Sequence, residues 1–292
     1  MARHLKLYIV ALCLLLPASL IGQSLSAELN EAYYRNSYRQ TEQYFHKWLK
    51  KSKPANMDTV NDTMRHTYKL FDIYFSPKEL HKIGGNAAKA ILDSYGKYLL
   101  ISNRISLYMK DTVYYTPEYI ADLKRKYIER QVIASANSEV DKPAKVTFAT
   151  HFGYPEYGYM NAEIIDSMVE FRPKVKIHGK KVLYLTPEYQ RALNLFLGAD
   201  PNNLARGNFK QRLGDNDINK RLEYINRYIP VRPGRLVDFH INTYPAPYAI
   251  TFDKGFMHAR VDYVIGEQIG FAVFKRTADG WELLLSSITG SI

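Results

Sequence analysis

The clearest alternation of apolar and polar positions lies near the C-terminus, in residues 236–292. In HARVDYVI, Ala259, Val261, Tyr263 and Ile265 fall on one side, with His258, Arg260, Asp262 and Val264 on the other. That period of two predicts a strand with one apolar and one mixed face, the pattern of a sheet covered on one side. GFAVFKR returns as a second strand after a turn across residues 266–270, and Ala278-Asp279-Gly280 turns the chain into a third at 281–287. Residues 236–242 and 248–252 are also β-like. Pro245 and Pro247 between them call for an edge, a bulge or a crossing loop, because neither can donate to a ladder.

Upstream the period changes to that of helices. Leu25, Leu29, Ala32, Tyr33, Thr41, Phe45, Trp48 and Leu49 form an apolar stripe that predicts a helix over 28–51, ended by Pro54. Met57, Val60, Met64, Tyr68, Phe71 and Phe75 predict a second over 57–75. Residues 98–115 are rich in β-formers but do not alternate. Two similar stretches follow, VYYTPEY at 113–119 and LYLTPEY at 183–189. Each reads as a strand handing over to a helix, with threonine as cap, proline at the first helical position and glutamate in the first turn, and predicts helices over 117–131 and 187–197. A further helix is expected over 217–228. The fold class read from these patterns is α+β: a helical N-terminal region packed with a C-terminal curved antiparallel sheet, cone-like in shape.

The first residues change the picture of where the chain works. Arg3 and Lys6 precede an apolar core at 7–16, and small residues lead to an expected cut between Gly22 and Gln23. The apolar core is short of the roughly 20 residues of a membrane span, so no stable transmembrane segment is expected. The expected organisation is a signal peptide at 1–22, a mainly helical region at 23–140, a mixed region or linker at 141–235 and the sheet at 236–292. The protein is then exported, to the periplasm or beyond. Cys13, the one cysteine, leaves with the signal, which removes thiol nucleophiles, thiolate metal sites and disulfides. The formal net charge of +11 falls to +9 with Arg3 and Lys6 gone. Such an excess favours anionic surfaces, and an exported protein meets glycans and envelope polymers rather than nucleic acid. Plain solubility accounts for the same charge.

Candidate chemistry is sparse. G-x-S-x-G, P-loop, G-x-G-x-x-G and H-E-x-x-H motifs are missing from the sequence, and the scattered histidines offer no metal-ligand pair at helical spacing, so neither metal nor cofactor is expected. Asp238 with His240, and Arg260 with Asp262, are each two apart on a strand and therefore share a face. Asp238 could orient His240 as a base, and Arg260 could hold an anion while Asp262 moves a proton. The same spacing also describes a solvated salt bridge across a strand. HFGYPEYGYM is turn-rich and aromatic, and His151, Tyr154, Glu156, Tyr157 and Tyr159 are the residue types of a sugar site, although 24 tyrosines in 292 residues produce such clusters by composition. Lys174, Lys176 and His178 alternate with Val175 and Ile177, which puts basic groups on one side of an extended segment. That stripe suits an anionic polymer, or equally an edge strand charged against aggregation.

ARVDY, GFAVFKR and DGWELL together resemble the closing strands of nuclear-transport-factor-like (cystatin-like α+β cone) proteins, in an exported chain of Bacteroidetes type. The resemblance covers roughly 55 residues and implies a sheet curled around helices with a pocket between them, in a fold whose members can pair as homodimers. It assigns no catalytic residue. Two function classes remain open: a noncatalytic exported binding or structural protein that recognises a glycan or another anionic envelope component, and a small-molecule isomerase- or hydrolase-type enzyme with its pocket in the C-terminal sheet.

Overall fold

The computed structural model describes residues 21–76, 81–85, 96–114, 125, 163–168, 170–175, 177–198, 216–233, 239–241, 243–266 and 268–291. The chain divides into two compact units. The first comprises Met1–Arg104, Met168–Ala246 and Val264–Glu267, and the second Ile105–Ser167, Pro247–Tyr263 and Gln268–Ile292. The architecture is α+β, as expected.

In the first unit the expected helix over 28–51 is two helices. Helix α1 runs over residues 21–34, the chain turns through Asn36 at a positive φ of 46°, and α2 (Tyr38–Lys51) begins afresh. Ser37 makes the restart possible: its hydroxyl accepts the Gln40 amide at 3.3 Å, so one of the orphan N–H groups of the new helix is satisfied. The apolar stripe hides this break, because its residues stay buried on both sides of it. Helix α3 (Asp62–Tyr74) starts under an Asn61 cap, and a 3₁₀ turn (Met57–Thr59) takes the first residues of the expected 57–75 helix.

Strand β1 (Tyr98–Ser102) pairs in parallel with a later strand at Lys181–Leu185, with two other strands between them in chain order. Both outer edges of this small ladder are closed by side chains. Thr243 accepts the Leu100 amide at 2.7 Å on one edge, and Trp48 donates its indole N–H to the Tyr184 carbonyl at 3.0 Å on the other. Ser52 accepts the Tyr184 amide at 3.1 Å. Closing an edge in this way removes backbone groups that would otherwise sit buried without partners. Around the ladder lies one core of Leu29, Tyr44, Phe45, Trp48, Tyr98, Leu100, Leu183, Leu185, Tyr189, Leu193, Phe196 and the apolar face of the last helix.

The second unit holds most of a six-stranded sheet. It uses β2 (Ile105–Lys110) and β3 (Glu163–Met168), whereas β4 (Lys181–Leu185) belongs to the first unit's ladder. After helices α4 (Pro187–Phe196) and α5 (Asn216–Asn226) come two short strands, β5 (Arg232–Pro233) and β6 (Phe239–His240), which pair with each other. The long strands β7 (Ala246–Asp253), β8 (His258–Ile265), β9 (Gln268–Thr277) and β10 (Gly280–Ser291) then complete the order β10-β9-β8-β7-β2-β3.

This order corrects the cone. β2 enters beside β7 in parallel, Ser106 opposite Ala249 and Lys110 opposite Asp253, so the sheet is mixed rather than antiparallel. Its two ends, β10 and β3, do not meet, and the sheet stays open instead of curling shut. A parallel partner must arrive by a crossover, which is why a strand far upstream, without clean alternation of its own, takes the place beside β7. Two local details also differ. The link between β8 and β9 spans only residues 266–267, with Gly266 at a positive φ of 64°, and Gly270 lies inside β9. Gly270 is glycine because a Cβ there would come within 2.7 Å of the Tyr263 ring. Residues 278–279 turn as expected into β10, which runs on to Ser291.

Candidate functional site

Of the four acid–base candidates, Arg260 and Asp262 are brought together in the second unit. Both are 2 % exposed, so the pair is neither solvated nor on an open face. Strand β8 has neighbours on each side in the sheet, and every residue from Ala259 to Tyr263 is buried, which corrects the one-sided covering read from alternation. The Arg260 Nε and Nη2 both approach Asp262 Oδ1, at 2.9 and 2.8 Å, and the guanidinium carbon lies 3.9 Å from the centre of the Phe271 ring. Asp262 Oδ2 is left buried without a hydrogen-bond partner among the described residues. Burial pushes the Asp262 carboxyl up to about 6, although Arg260 pulls in the other direction.

The register extends this polar face. Tyr108 and Lys110 on β2 stand opposite Thr251 and Asp253 on β7, and Asp253 meets His258 at 3.0 Å. The Tyr114 ring stacks on the His258 ring, with centroids 5.4 Å apart. Lys110 has its pKa lowered by burial and by Arg260. Thr251 is fully buried and its hydroxyl has no partner among the described residues.

The other candidates do not join it. Asp238 lies outside the described residues, and His240 is in the two-residue ladder of β5 and β6 in the first unit. His151, Tyr154, Glu156, Tyr157, Tyr159 and Lys176 also lie outside the described residues. Lys174 and His178 are exposed, and the backbone around them is irregular rather than a strand; β4 begins only at Lys181.

A site that the sequence did not indicate lies in the first unit, at the head of α4. Thr186 caps this helix with extended backbone, Pro187 takes the first helical position and Glu188 sits in the first turn, as LYLTPEY predicts. Tyr189, Ala192, Leu193 and Phe196 then recur at helical spacing and anchor α4 in the core. Yet the Thr186 side chain makes no capping hydrogen bond. Pro187 has no N–H and the Gln190 amide bonds to the Thr186 carbonyl at 2.9 Å, so the amides of Glu188 and Tyr189 are the ones that Thr186 leaves uncapped, with the positive end of the helix dipole behind them.

A cavity of about 200 Å³ opens there. Its aromatic wall is Trp48, Tyr184 and Tyr189; Trp48 stacks on Tyr189 with centroids 4.1 Å apart and planes 4° from parallel. Ser52 and Asn103 complete the polar wall, and Lys51, Arg172, Glu170 and Glu188 supply the charges. Arg172 Nη2 is paired with Glu170 at 2.8 Å. Three residues of this lining each carry a buried polar atom with no partner among the described residues: Arg172 Nε, Thr186 Oγ1 and the Tyr189 hydroxyl. A buried polar atom left unpaired costs about 1–3 kcal/mol, and these three belong to residues that line one cavity. Burial, reinforced by Glu188 and Glu28, pushes the Tyr189 phenol up to about 12, which keeps it a neutral donor.

The lining comes from α2, the β1–β2 turn, the 170–172 segment, β4 and α4. No local pattern joins five such stretches; the threonine-proline-glutamate cap was the one signal in the sequence, and it announces a helix start rather than a ligand. Comparison of the chain with protein-family models, curated proteins and solved structures gave no match.

Proposed function

We propose that this chain is a noncatalytic binding protein whose ligand occupies the cavity at the head of α4. One observation supports the reading: Arg172, Thr186 and Tyr189, which line a single cavity, each bury a polar side-chain atom without a partner among the described residues. Of the two ligand classes the sequence suggests, an anionic group suits the cavity better than a stacked sugar. Arg172, Lys51 and the α4 amides all favour negative charge. A sugar needs an open ring face, whereas Trp48, Tyr184 and Tyr189 are each at most 2 % exposed. Export to the cell envelope belongs to the same proposal, supported by the basic and apolar residues at 3–16. Native mass spectrometry of full-length chain purified without denaturation tests the site. The expected result is a discrete added mass that disappears in Tyr189→Phe; a mass unchanged by Tyr189→Phe would place the ligand elsewhere.

A second reading, acid–base chemistry on the sheet of the second unit, is favoured by the raised carboxyl and bare Oδ2 of Asp262. A retained ligand that survives in Tyr189→Phe but is lost in Asp262→Asn would replace the first reading with this one.

A further inference from the structure

We infer that the cavity at the head of α4 takes a small zwitterion, with one carboxylate and one ammonium, of amino-acid size. The inference rests on the binding reading above and names the chemistry of its ligand.

Size comes first. At about 200 Å³ the cavity is smaller than the roughly 300–1,000 Å³ of sites that hold drug-sized molecules, so a polymer can insert no more than a terminal unit. Charge decides the rest. The cationic side has Arg172, Lys51 and the uncapped amides of α4, which together suit a carboxylate. Tyr189, 2 % exposed and with a hydroxyl that has no partner among the described residues, is part of the same lining. Facing these are two carboxylates, Glu170 and Glu188, so the side chains of the lining sum to no net charge. A bare anion would therefore enter a neutral site and meet the charge of Glu188 beside the very amides it needs.

Glu170 already has a partner in Arg172. Glu188 has none: it is half-buried and makes no hydrogen bond or ion pair among the described residues. Its carboxylate complements the α4 dipole, which is reason enough for its place in the first turn. That role turns into a conflict once a ligand carboxylate arrives, unless the ligand brings its own cation. An ammonium near Glu188 removes the conflict and gives the ligand a polarity, acid toward Arg172 and Thr186, amine toward Glu188.

The test is isothermal titration of the full-length chain with the common amino acids, followed, for the tightest, by its deaminated acid and its decarboxylated amine. The amino acid should bind at one site, with either analogue weaker by about tenfold or more. Glu188→Gln should bring the amino acid down to the affinity of the acid, and Tyr189→Phe should weaken both. A deaminated acid as tight as the amino acid, or a preference untouched by Glu188→Gln, overturns the zwitterion while leaving an anion-binding site. If no amino acid, acid or monosaccharide binds and the native mass is bare, the binding reading falls as well.

Discussion

Each unit buries an arginine, and the two are treated in opposite ways. In the first unit Arg221, 8 % exposed, gives Nε to Asp217 at 2.7 Å, Nη1 to Asn30 and to the Phe196 carbonyl, and Nη2 to the Tyr34 hydroxyl. The rings of Tyr33, Tyr34 and Phe196 surround its guanidinium. In the second unit Arg260 directs Nε and Nη2 to one oxygen of Asp262, and the other oxygen has no hydrogen-bond partner among the described residues. Arg221 bonds to residues of α1, α4 and α5 and reads as architecture: its partners are satisfied, and it ties three helices with geometry no apolar side chain could copy. The unfinished part of this pair is Asp262 Oδ2, buried without a hydrogen-bond partner among the described residues, and such an atom is retained at a cost in stability.

The largest effect expected from this contrast is Arg221→Met. It takes the donor from Asn30 Oδ1 and from the Phe196 carbonyl, while Asp217 keeps the Tyr33 hydroxyl, and it should cost about 2–4 kcal/mol in urea unfolding. The double substitution Arg260→Met with Asp262→Leu removes both charges of the pair at once and should cost less, about 1–2 kcal/mol. Equal losses in the two experiments would erase the distinction between the two arginines.

A pH titration of stability sharpens it further. The Asp262 carboxyl rises from 3.8 to about 6 on folding, so between those values the folded chain holds a proton that the unfolded chain has released. The protein bound more tightly to that proton is the folded one, and its stability falls as pH rises. The contribution is complete below about pH 4 and lost on passing pH 6, a difference of roughly 2–3 kcal/mol for a shift of this size. Asp262→Asn should abolish this component of the pH profile. Asp217 runs the other way: Arg221 lowers its carboxyl, and its support is lost in acid. A wild-type profile indistinguishable from that of Asp262→Asn would mean that Asp262 ionises freely in the fold.

How much of this could be read beforehand differs between the units for a physical reason. Local chemistry was legible. Alternation gave β8, the Ala278-Asp279-Gly280 turn gave the β9–β10 hairpin, and Thr186-Pro187-Glu188 gave the start of α4. Alternation reports which residues share a face, however, and not what covers it; Arg260 and Asp262 were correctly placed on one face whose burial could not be foreseen. The parallel entry of β2 depends on a crossover, which leaves no mark in the strand itself. The cavity is less legible still, because Trp48, Arg172 and Tyr189 meet only after separate parts of the chain have folded.

Glycines give a middle-sized test of the packing in each unit. At Gly270 in β9, an added Cβ would lie 2.7 Å from Tyr263 ring atoms and 2.8 Å from the Ser287 carbonyl. At Gly96 in the first unit it would lie 2.6 Å from the Arg227 carbonyl oxygen. Alanine at either position should cost about 1–3 kcal/mol by calorimetry, because backbone cannot yield as a flexible side chain can. Gly266 and Gly280 meet nothing within 4 Å, and their positive φ alone makes them glycine.

The smallest effect on stability is expected where the effect on binding is greatest. Tyr189→Phe removes one hydroxyl and keeps the ring that stacks on Trp48. In an architectural role that hydroxyl would be paired, and its loss would cost about 1 kcal/mol. It is buried and has no partner among the described residues, so the ligand-free variant should be as stable as the wild type or slightly more so. A site built for a guest carries polar atoms that burden the empty protein and are repaid only on binding. Tyr189→Phe should therefore leave the melting temperature of the free protein unchanged or raised, and lose the stabilisation that a bound ligand adds. A clear drop in the melting temperature of the free protein would show the hydroxyl to be part of the core, and the cavity at the head of α4 would lose its strongest mark.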